Sequence, residues 1–472
     1  MRTIDLNRLF PPKPRGFDSD ELFDVAIIGA GVVGCGAFKE FSEQGAKTVL
    51  IEKSNDILEG ASKGNSAILH TGFDAPPESL ELACVQAGYA EYMRIYQELN
   101  LQLRPTKAMV VAWNEEQLEK LDAIQQKGFG NGVKALDLID AKQVQKLEPQ
   151  LSSHAQGAII VHGEAVIDAW SAPLAYVKKG LALGGKTAFS HEVTGGEHTG
   201  TYWELETSQK PIRAKVVINA AGLYGDIVEQ ISGNIDFKII PRKGQFLIFD
   251  ETAYDLIESI ILPVPTKRTK GVVITKTAFG NLLVGPTAED QESRVDSGTA
   301  EEMLEELKQK AYAMLPALRE HGVTATFAGL RSASDESYYR VKINEEKNWI
   351  TAGGIRSTGL TSSLGLAKYL FELNDKKYDA PKTEAEVTVP NISQFSTRDH
   401  QQAGYGRVVC HCENVTDREI REACSGTLPA GTIGGLKRRT RAMMGRCQGF
   451  NCMAAASSIA ESEAKKTYAK KV

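Results

Sequence analysis

Four cysteines near the carboxyl end of the chain have a spacing that suits a metal or iron–sulfur site. Cys410 and Cys412 are separated by one residue, and Cys447 and Cys452 are separated by four. Two thiolate pairs can supply the four ligands that zinc sites and iron–sulfur clusters use. Zinc pairs more often enclose two or more residues. The spacing alone is therefore compatible with an iron–sulfur cluster, a zinc site or a disulfide.

The remaining cysteines and a nearby basic run carry weaker signals. Seven cysteines in 472 residues are too few, and odd in number, for a secreted disulfide scaffold. Cys35 and Cys424 fall in predicted helices and are interpreted as small core residues. The basic run at 437–441, with Arg446, could offset thiolate charge or bind an electron-transfer partner. A solvated helix face is an equally good interpretation of that run.

A glycine motif near the amino end predicts a dinucleotide-binding site. The apolar, β-branched run at 24–28 predicts a buried strand, and Gly29, Gly31 and Gly34 follow it in the pattern G-x-G-x-x-G. The first glycine permits a tight turn and the second lets the backbone approach a pyrophosphate. The third lets the following helix pack against the strand.

The elements after the glycines complete this predicted site. A helical pattern over 32–44 would direct its N-terminus at the phosphates, and a second predicted strand at 48–51 ends at Glu52. Glu52 stands where a carboxylate accepts the ribose hydroxyls. The small, polar, glycine-containing loop at 60–72 suits close wrapping of an extended cofactor such as FAD. A nicotinamide-binding domain more often continues directly into another helix.

Four segments in order resemble the FAD-dependent D-amino-acid-oxidase-like superfamily, which includes glycerol-3-phosphate dehydrogenases and 2-hydroxy-acid oxidases. They are the glycine motif, the loop at 60–72, the segment VVINAAGLYG at 216–225, and WITAGGIRSTGLTSSLGL at 349–366. The resemblance implies FAD as cofactor. It implies that the following residues contact it: Gly29, Gly31, Gly34, Glu52, Lys53, Ser62, Lys63, Gly64, Asn65, Ser66, Val193, Ala220, Ala221, Gly222, Gly354, Ile355, Arg356, Ser357, Thr358, Gly359 and Leu360.

The segment at 409–460 resembles the bacterioferritin-associated-ferredoxin-like [2Fe–2S] module. That module is appended to the flavin subunit of anaerobic glycerol-3-phosphate dehydrogenases. The resemblance implies that Cys410, Cys412, Cys447 and Cys452 bind a [2Fe–2S] cluster. The pattern Thr416-Asp-Arg-Glu419 predicts a capping box that opens a helix. A second helix is predicted from about 452 to 463, with its N-terminus toward the anionic cluster.

The expected fold class is α/β. We expect a Rossmann-like FAD-binding domain with an inserted antiparallel β-sheet substrate domain, and a small, mainly helical C-terminal [2Fe–2S] domain. The predicted segments are an N-terminal tail (1–20), the FAD-dependent oxidoreductase domain (21–373), a linker (374–406) with one strand at 387–389, the [2Fe–2S] domain (407–464) and a basic tail (465–472). Within 21–373, cofactor-binding pieces at about 21–100, 176–235 and 326–373 alternate with substrate-domain pieces at about 100–175 and 236–325.

Three residues are candidates for the chemistry on the substrate. His70 follows the flavin loop, as a histidine does in related dehydrogenases, and is the candidate base; a strand histidine bonded to the backbone is the alternative. Arg331 lies in AGLRSASD, which resembles a family strand that places an arginine at the anionic end of the substrate. Its planar fork suits a carboxylate or phosphate, and a surface ion pair is the alternative. Arg356 is a second anion-binding candidate. Lys243 and Lys276 are weaker ones, because lysines on strands are mostly solvated.

The resemblance implies an FAD-dependent dehydrogenase that oxidises a small anionic alcohol, with glycerol 3-phosphate as the first choice. Hydride would pass to flavin N5, and electrons would leave through the cluster to a partner subunit or quinone. An L-2-hydroxy acid such as 2-hydroxyglutarate, or an amino acid or opine, is the alternative. Glu78 and Glu81 replace a glycine and a lysine of the hydroxyglutarate pattern. A third reading is an iron–sulfur carrier with a vestigial flavin fold.

Composition excludes some classes of function. The net charge of −5 argues against nucleic-acid binding, which needs a basic excess. Hydrophobic residues at 42% and charged residues at 24% indicate a globular chain. The amino end lacks the apolar core of a secretory signal, and no segment is apolar for long enough to span a membrane. We therefore expect a cytoplasmic protein, with peripheral membrane contact left open.

Overall fold

The computed structural model describes residues 20–234, 236–265, 271–381 and 385–469. The tail predicted at 1–20 lies outside the described residues except for Asp20, and so do the last residues of the tail predicted at 465–472. The strands are β1 (Leu22–Ile28), β2 (Thr48–Glu52), β3 (Ile68–Leu69), β4 (Leu103–Pro105), β5 (Ala108–Ala112), β6 (Leu136–Asp140), β7 (Gly157–Val161), β8 (Ala165–Ile167), β9 (Lys186–Phe189), β10 (Val193–His198), β11 (Trp203–Thr207), β12 (Ile212–Asn219), β13 (Ile239–Phe249), β14 (Ile260–Pro263), β15 (Val273–Lys276), β16 (Leu282–Gly285), β17 (Glu289–Asp290), β18 (Val323–Ser334), β19 (Arg340–Asn344), β20 (Trp349–Gly353), β21 (Val408–Cys410) and β22 (Val415–Thr416). The helices are α1 (Val32–Glu43), α2 (Leu80–Ile95), α3 (Glu115–Leu118), α4 (Leu121–Gly130), α5 (Ala141–Leu147), α6 (Ser171–Ala182), α7 (Gly225–Glu229), α8 (Glu301–Met314), α9 (Gly359–Leu373), α10 (Asp417–Ala423), α11 (Ile433–Thr440) and α12 (Met453–Ala469).

The first sheet has a parallel core. β1 pairs in parallel with β2 and β12, and β12 pairs in parallel with β20. The strand order is β10-β11-β12-β1-β2-β9, with β19 and β20 beyond β12. β1, β2 and β12 are rich in buried valine and isoleucine, as expected of parallel strands covered on both faces. The carboxyl ends of these strands meet at one edge, which is where open α/β sheets bind ligands.

Helices cover this sheet at close range. α9 packs against α1 and α2, and α1 also packs against α6. A Cβ added to Gly88 on α2 would lie 2.0 Å from the Thr361 carbonyl oxygen on α9. A Cβ added to Gly36 on α1 would lie 3.0 Å from the Ser363 carbonyl oxygen. Gly88 therefore allows the backbones of α2 and α9 to pack closely. This packing places the turn before α9 near the carboxyl edge of the first sheet.

The second sheet has the order β17-β13-β16-β15-β14-β5-β7-β6, with β18 on the other side of β13. Its pairs are antiparallel except for β14 with β5. β18 pairs with β13 along the whole length of β13, from Ile239 to Phe249. Residues 326–334, predicted to belong to a cofactor-binding piece, therefore lie in the second sheet. This gives Arg331 a rigid position on the substrate sheet.

The C-terminal module is small and mainly helical. β21 and β22 form a hairpin, and α10, α11 and α12 follow it. The predicted capping box is present, because the Glu419 N–H donates to Thr416 Oγ1 at 3.2 Å and the Thr416 N–H donates to a Glu419 carboxylate oxygen at 2.8 Å. The α/β fold class with its added helical module is confirmed.

The strand predicted at 387–389 is wrong. The segment forms no described strand: the Val389 N–H donates to the Leu99 carbonyl at 3.3 Å, and Asn100 Nδ2 donates to the Val389 carbonyl at 2.8 Å. Its apolar residues pack in the main core instead, and that packing explains the apolar pattern. Among the described helices, none is both long and apolar enough to cross a membrane.

Candidate functional site

Two of the motif glycines are packed too closely for a side chain where β1 turns into α1. A Cβ added to Gly34 would lie 1.8 Å from the Gly29 carbonyl oxygen, and one added to Gly29 would lie 2.5 Å from the Ala220 carbonyl oxygen. Gly29 also has a φ of +104°, which favours glycine. Gly31 is the N-cap of α1 and supplies no side-chain cap. The first turn of α1 can therefore offer backbone N–H groups to phosphate.

Glu52 ends β2 beside this turn. Its carboxylate accepts the Ala30 N–H at 2.9 Å and the Ser54 N–H at 2.9 Å. Burial raises the pKa of Glu52, and these backbone donors oppose the shift. The carboxylate is thus oriented at the sheet edge where the resemblance implies ribose binding.

The loop predicted to wrap the flavin contacts α1 and the second sheet. It contains a short 3-10 helix at Ala61–Lys63, and Ser62 Oγ accepts the Val32 N–H at 3.0 Å. A Cβ added to Gly329 on β18 would lie 2.3 Å from the Gly64 carbonyl oxygen. The loop thus bridges the start of α1 and the strand that carries Arg331.

The other predicted cofactor contacts lie in the same segments. Lys53 follows β2, and Val193 opens β10 just after His191, whose N–H donates to the Glu52 carbonyl at 3.0 Å. Lys63, Asn65 and Ser66 lie in the loop, and Ala220, Ala221 and Gly222 follow β12. Gly354, Ile355, Arg356, Ser357 and Thr358 lie between β20 and α9, and Gly359 and Leu360 begin α9. All of these segments meet at the carboxyl edge of the first sheet. Their individual contacts with FAD stay predictions.

The turn before α9 is anchored by a buried carboxylate that we did not predict. Glu81 on α2 accepts Thr358 Oγ1 at 2.7 Å and Arg356 Nη2 at 3.2 Å. The Tyr339 hydroxyl lies 2.6 Å from Thr358 Oγ1. Arg356 is thereby held at the turn, and its role in anion binding stays a prediction.

The ring of His70, directly after β3, is paired with a carboxylate. Its Nδ1 lies 2.9 Å from Glu164 Oε2. The His70 backbone N–H donates to Thr361 Oγ1 of α9 at 3.1 Å. Glu164 is fully buried, in the turn between β7 and β8. Sequence reasoning missed Glu164, because nothing local distinguishes it from a turn glutamate.

Arg331 is a desolvated cation on the substrate sheet. Its Nη2 donates to the Thr287 carbonyl at 2.6 Å and to the Lys243 carbonyl at 3.4 Å. Burial lowers the pKa of Arg331 to about 10, with a further lowering from Arg242. Among the described residues it forms no ion pair with a carboxylate, so the surface ion-pair alternative is wrong.

The two weaker candidates for anion binding, Lys243 and Lys276, each form an ion pair with a carboxylate of the protein. Lys276 is buried, at 2% side-chain exposure, and pairs with Glu258 at 3.1 Å. The expectation that strand lysines are solvated is therefore wrong for Lys276. Lys243 pairs with Asp296 at 2.7 Å. Both ammonium groups are thus bound by carboxylates.

The four candidate cluster cysteines lie together in two pairs. Cys447 lies close enough to Cys412 to influence the pKa of its thiol, and Cys410 has the same effect on Cys452. None of the four is in a disulfide. Within the described ranges, no group of three or more His, Cys, Asp or Glu residues is arranged to hold a single metal ion. Cys424 is buried in the core of the module, as predicted.

This donor set fits a [2Fe–2S] cluster, which takes four cysteine thiolates, two on each iron. The nearby backbone N–H groups of Asn451, Gly449 and Phe450 lower the pKa of Cys447. Hydrogen bonds to cluster sulfurs are a usual feature of such sites. Cys410 and Cys452 are 1% exposed, whereas Cys412 and Cys447 are partly exposed. One edge of the site therefore lies near the surface.

The basic run anchors the module to the flavin-binding domain. Arg439 forms a two-pronged pair with Asp56 at 2.7 and 2.8 Å, and Arg438 binds Glu59 at 2.6 Å. Both arginines are 8% exposed. A Cβ added to Gly431 would lie 1.7 Å from the Asn55 carbonyl oxygen. The solvated-face interpretation is wrong for these arginines, and they are not available to a partner protein.

Arg439→Met is expected to lower the free energy of unfolding by about 3–5 kcal/mol, because Asp56 would keep a buried, uncompensated charge. Thermal unfolding and limited proteolysis within 374–406 would measure the loss and the release of the module. The matched control is Arg446→Met, whose pair with Asp250 at 2.8 Å involves an arginine side chain that is 67% exposed. The control should cost about 0–1 kcal/mol. Equal effects of the two variants would contradict the anchoring role.

A cavity of about 800 Å³ lies between the flavin loop and the module. Residues 63–67 line one wall, and Cys412 and Arg441 line the other. Trp170 and Phe279, which are stacked at 5.3 Å, also border it. The predicted flavin loop and a predicted cluster ligand thus face one shared space.

Comparison with known proteins decides the family. Residues 24–373 match the family described as FAD dependent oxidoreductase. The chain belongs to this family. Residues 408–462 match a second family, described as a BFD-like [2Fe-2S] binding domain. The predictions of an FAD-dependent oxidoreductase and of FAD and [2Fe–2S] as its cofactors are confirmed.

Named relatives of this FAD-dependent oxidoreductase include polyol-phosphate and hydroxy-acid enzymes. The glycerol 3-phosphate dehydrogenase of Caloramator mitchellensis is 31% identical over 91% of this chain and 92% of its own length. The glycerol 3-phosphate oxidase of Mycoplasma pneumoniae is 28% identical over 79% of this chain and 100% of its own. The L-2-hydroxyglutarate dehydrogenase of Indibacter alkaliphilus is 30% identical over 56% of this chain and 68% of its own.

A solved structure with a similar fold is the dithionite-reduced, FAD-bound L-alpha-glycerophosphate oxidase of Mycoplasma pneumoniae. It has a TM-score of 0.75 and 24% identity, and covers 78% of this chain and 99% of its own. The L-proline dehydrogenase of P. horikoshii has a TM-score of 0.69 and 20% identity, over 76% of this chain and 96% of its own. At these identities the two structures support the fold alone.

Proposed function

We propose that this enzyme oxidises glycerol 3-phosphate to dihydroxyacetone phosphate and passes the electrons through its cluster to a partner protein or a quinone. The observation that carries the proposal is the desolvated guanidinium of Arg331, next to the strand position that touches the flavin loop. The relative named glycerol 3-phosphate dehydrogenase, matched over 91% of this chain, supports the choice of substrate.

Arg331 is suited to hold the phosphate. With a pKa of about 10 it remains a cation at neutral pH, yet its bonded partners in the described structure are two carbonyl oxygens. The nearby Asp290 is bound by Arg242 at 2.6 Å. Asp290 lies near enough to raise the pKa of Arg331, but no described carboxylate binds the guanidinium directly. Burying a cation in this way is costly, and a phosphate bound by two N–H groups of the planar guanidinium would offset that cost.

His70 is suited to accept the proton of the substrate hydroxyl. In the balanced reaction that proton goes to His70, and the C–H hydrogen leaves with its electron pair. When bound, FAD supplies the acceptor for that hydrogen and electron pair, and the cluster supplies a route for single electrons. The protein would hold the alcohol between the base and the cofactor. Holding reacting groups in the correct geometry supplies a large part of the rate acceleration in such reactions.

L-2-hydroxyglutarate is the second candidate, because dehydrogenases of that acid are also among the relatives. Glu81 argues against it. It replaces a lysine of the hydroxyglutarate pattern, and here its carboxylate binds Thr358 and Arg356 beside the turn before α9. A lysine at this position would repel Arg356, so the surroundings of Arg356 differ from those in the hydroxyglutarate pattern.

A route for electrons to an external acceptor is supported by the surface near the cluster. Phe450 lies between Cys447 and Cys452 in sequence and is 92% exposed. Large exposed apolar side chains near a redox site suit brief contacts with a partner, which need only small interfaces. The cavity between the flavin loop and Cys412 suits a short internal path.

A substrate panel tests the proposal. Anaerobic enzyme would be mixed with glycerol 3-phosphate, L-2-hydroxyglutarate, L-proline or glycine, and the loss of visible flavin absorbance would be followed. We expect fast bleaching with glycerol 3-phosphate alone. Bleaching only by L-2-hydroxyglutarate would overturn the substrate. Hydrogen peroxide formation in air at the full turnover rate would overturn the dehydrogenase assignment.

A further inference from the structure

We propose that Glu164 is a positioning residue that holds His70 in the tautomer and orientation required of a base. The inference rests on the proposed function, because that function gives His70 a proton to accept. Glu164 lies 94 residues from His70 in sequence. The hairpin-like approach of β8 to β3 brings the two together, with Leu69 opposite Ala165.

The carboxylate of Glu164 is bound through both oxygens. Oε2 lies 2.9 Å from His70 Nδ1, and Oε1 accepts the Thr71 N–H at 2.7 Å and Thr71 Oγ1 at 2.8 Å. Glu164 has 0% side-chain exposure, whereas His70 has 22%. The imidazole is therefore anchored from its buried side, while the ring retains access to solvent and substrate.

The chemistry of this pair matches that of a base and its orienting group. A carboxylate can only accept hydrogen bonds, so the neutral imidazole must carry its proton on Nδ1. The lone pair then resides on Nε2, which is the atom placed to take a proton. After transfer, the carboxylate stabilises the imidazolium that has formed, as in other base–carboxylate pairs.

Hydrogen bonding alone, from His70 and the two donors of Thr71, compensates the burial of Glu164 but does not explain why the side chain is a carboxylate. Burying a carboxylate is expensive unless a cation or several donors compensate it. Among the described residues, no lysine or arginine forms an ion pair with Glu164, and His70 is its ion-pair partner. A neutral glutamine would bond Thr71 at a lower desolvation cost. The negative charge of Glu164 would stabilise the positive charge that develops on His70 when its ring accepts a proton.

The test combines nitrogen NMR of the holoenzyme with kinetics. In 15N-histidine-labelled wild-type enzyme, the His70 signals, assigned by their loss in His70→Gln, should show the Nδ1–H tautomer. Glu164→Leu should shift them toward a mixture of tautomers. Glu164→Gln should lower kcat about 10- to 100-fold with KM changed less than twofold, the range typical of lost orienting partners. Glu164→Asp should recover part of that loss.

The pH profile adds a second readout. Removal of the carboxylate disfavours the imidazolium, so the acid limb of kcat/KM should move to lower pH in Glu164→Gln. Among the described residues, Tyr89 on α2 is a second ionisable group influenced by Glu164, because burial and this carboxylate raise its pKa. Tyr89→Phe should therefore leave the acid limb in place.

A matched control is present in the same region. His162 Nε2 pairs with Asp137 at 2.8 Å, but both side chains are exposed, at 47% and 65%. Asp137→Asn should leave kcat and the pH profile unchanged. If Glu164→Gln lowers thermal stability but leaves the tautomer, the profile and kcat of the folded enzyme unchanged, the positioning role is overturned. If glycerol 3-phosphate fails to bleach the wild-type flavin, the proposed function falls, while the NMR result still decides the tautomer.

Discussion

His70→Gln is expected to slow flavin reduction by glycerol 3-phosphate about 10²- to 10⁴-fold, the range that a positioned general base supplies. Glutamine approximates the size of histidine but cannot accept a proton at neutral pH. The FAD content should stay at the wild-type level, because the predicted FAD contacts are in the glycine turn, at Glu52 and at backbone groups, all outside His70. Anaerobic stopped-flow absorbance would measure the rate.

The control for this variant is His162→Gln, which changes a histidine whose ring pairs with Asp137 at the surface. We expect His162→Gln to reduce its flavin at the wild-type rate. A His70→Gln enzyme that binds FAD and keeps more than a tenth of the wild-type rate would refute the role of His70 as base. The loss must also persist at saturating substrate, because a pure rise in KM would indicate a binding residue.

Replacement of Cys452 by serine is expected to remove the cluster and leave the flavin chemistry intact. Serine keeps the volume but lacks the thiolate that iron requires, and Cys452 is paired with Cys410 in the buried half of the site. Iron content should fall from two atoms per chain to near zero. The same loss is expected for Cys410, Cys412 and Cys447.

The kinetic consequence of cluster loss should be selective. Bleaching of the flavin by substrate should continue, because His70 and Arg331 lie outside the module. Delivery of electrons to a one-electron protein acceptor, such as cytochrome c used as a probe, should fall at least tenfold. Cys424→Ala is the control, since Cys424 lies in the module core but outside the two thiol pairs. Wild-type iron content in any of the four ligand variants would contradict the assignment.

Local patterns predicted much of the cofactor site. The strand, glycine turn and helix at 22–43 form as expected. Gly29 and Gly34 are needed there because a side chain at either position would clash with the neighbouring backbone. The capping box at Thr416 likewise depends on residues three apart. Such features are encoded in contiguous sequence and require no knowledge of the tertiary fold.

Partners distant in sequence could not be predicted in this way. Glu164 and Glu81 look like ordinary surface glutamates until folding places them beside His70 and Thr358. The basic run was ambiguous for the same reason, since Asp56 lies 383 residues from Arg439. The isolated apolar residues at 387–389 suggested a strand, but they fill the core beside Leu99 without a strand edge to join.

The central claim is that one chain joins alcohol oxidation at FAD to electron exit through a [2Fe–2S] cluster. Its most direct test is anaerobic, rapid freeze-quench mixing of the holoenzyme with glycerol 3-phosphate, with flavin absorbance and cluster EPR recorded on the same samples. The account predicts that flavin absorbance falls first and that the EPR signal of the reduced cluster then appears within the turnover time. A bleached flavin beside a cluster that stays oxidised over many turnover times would contradict it.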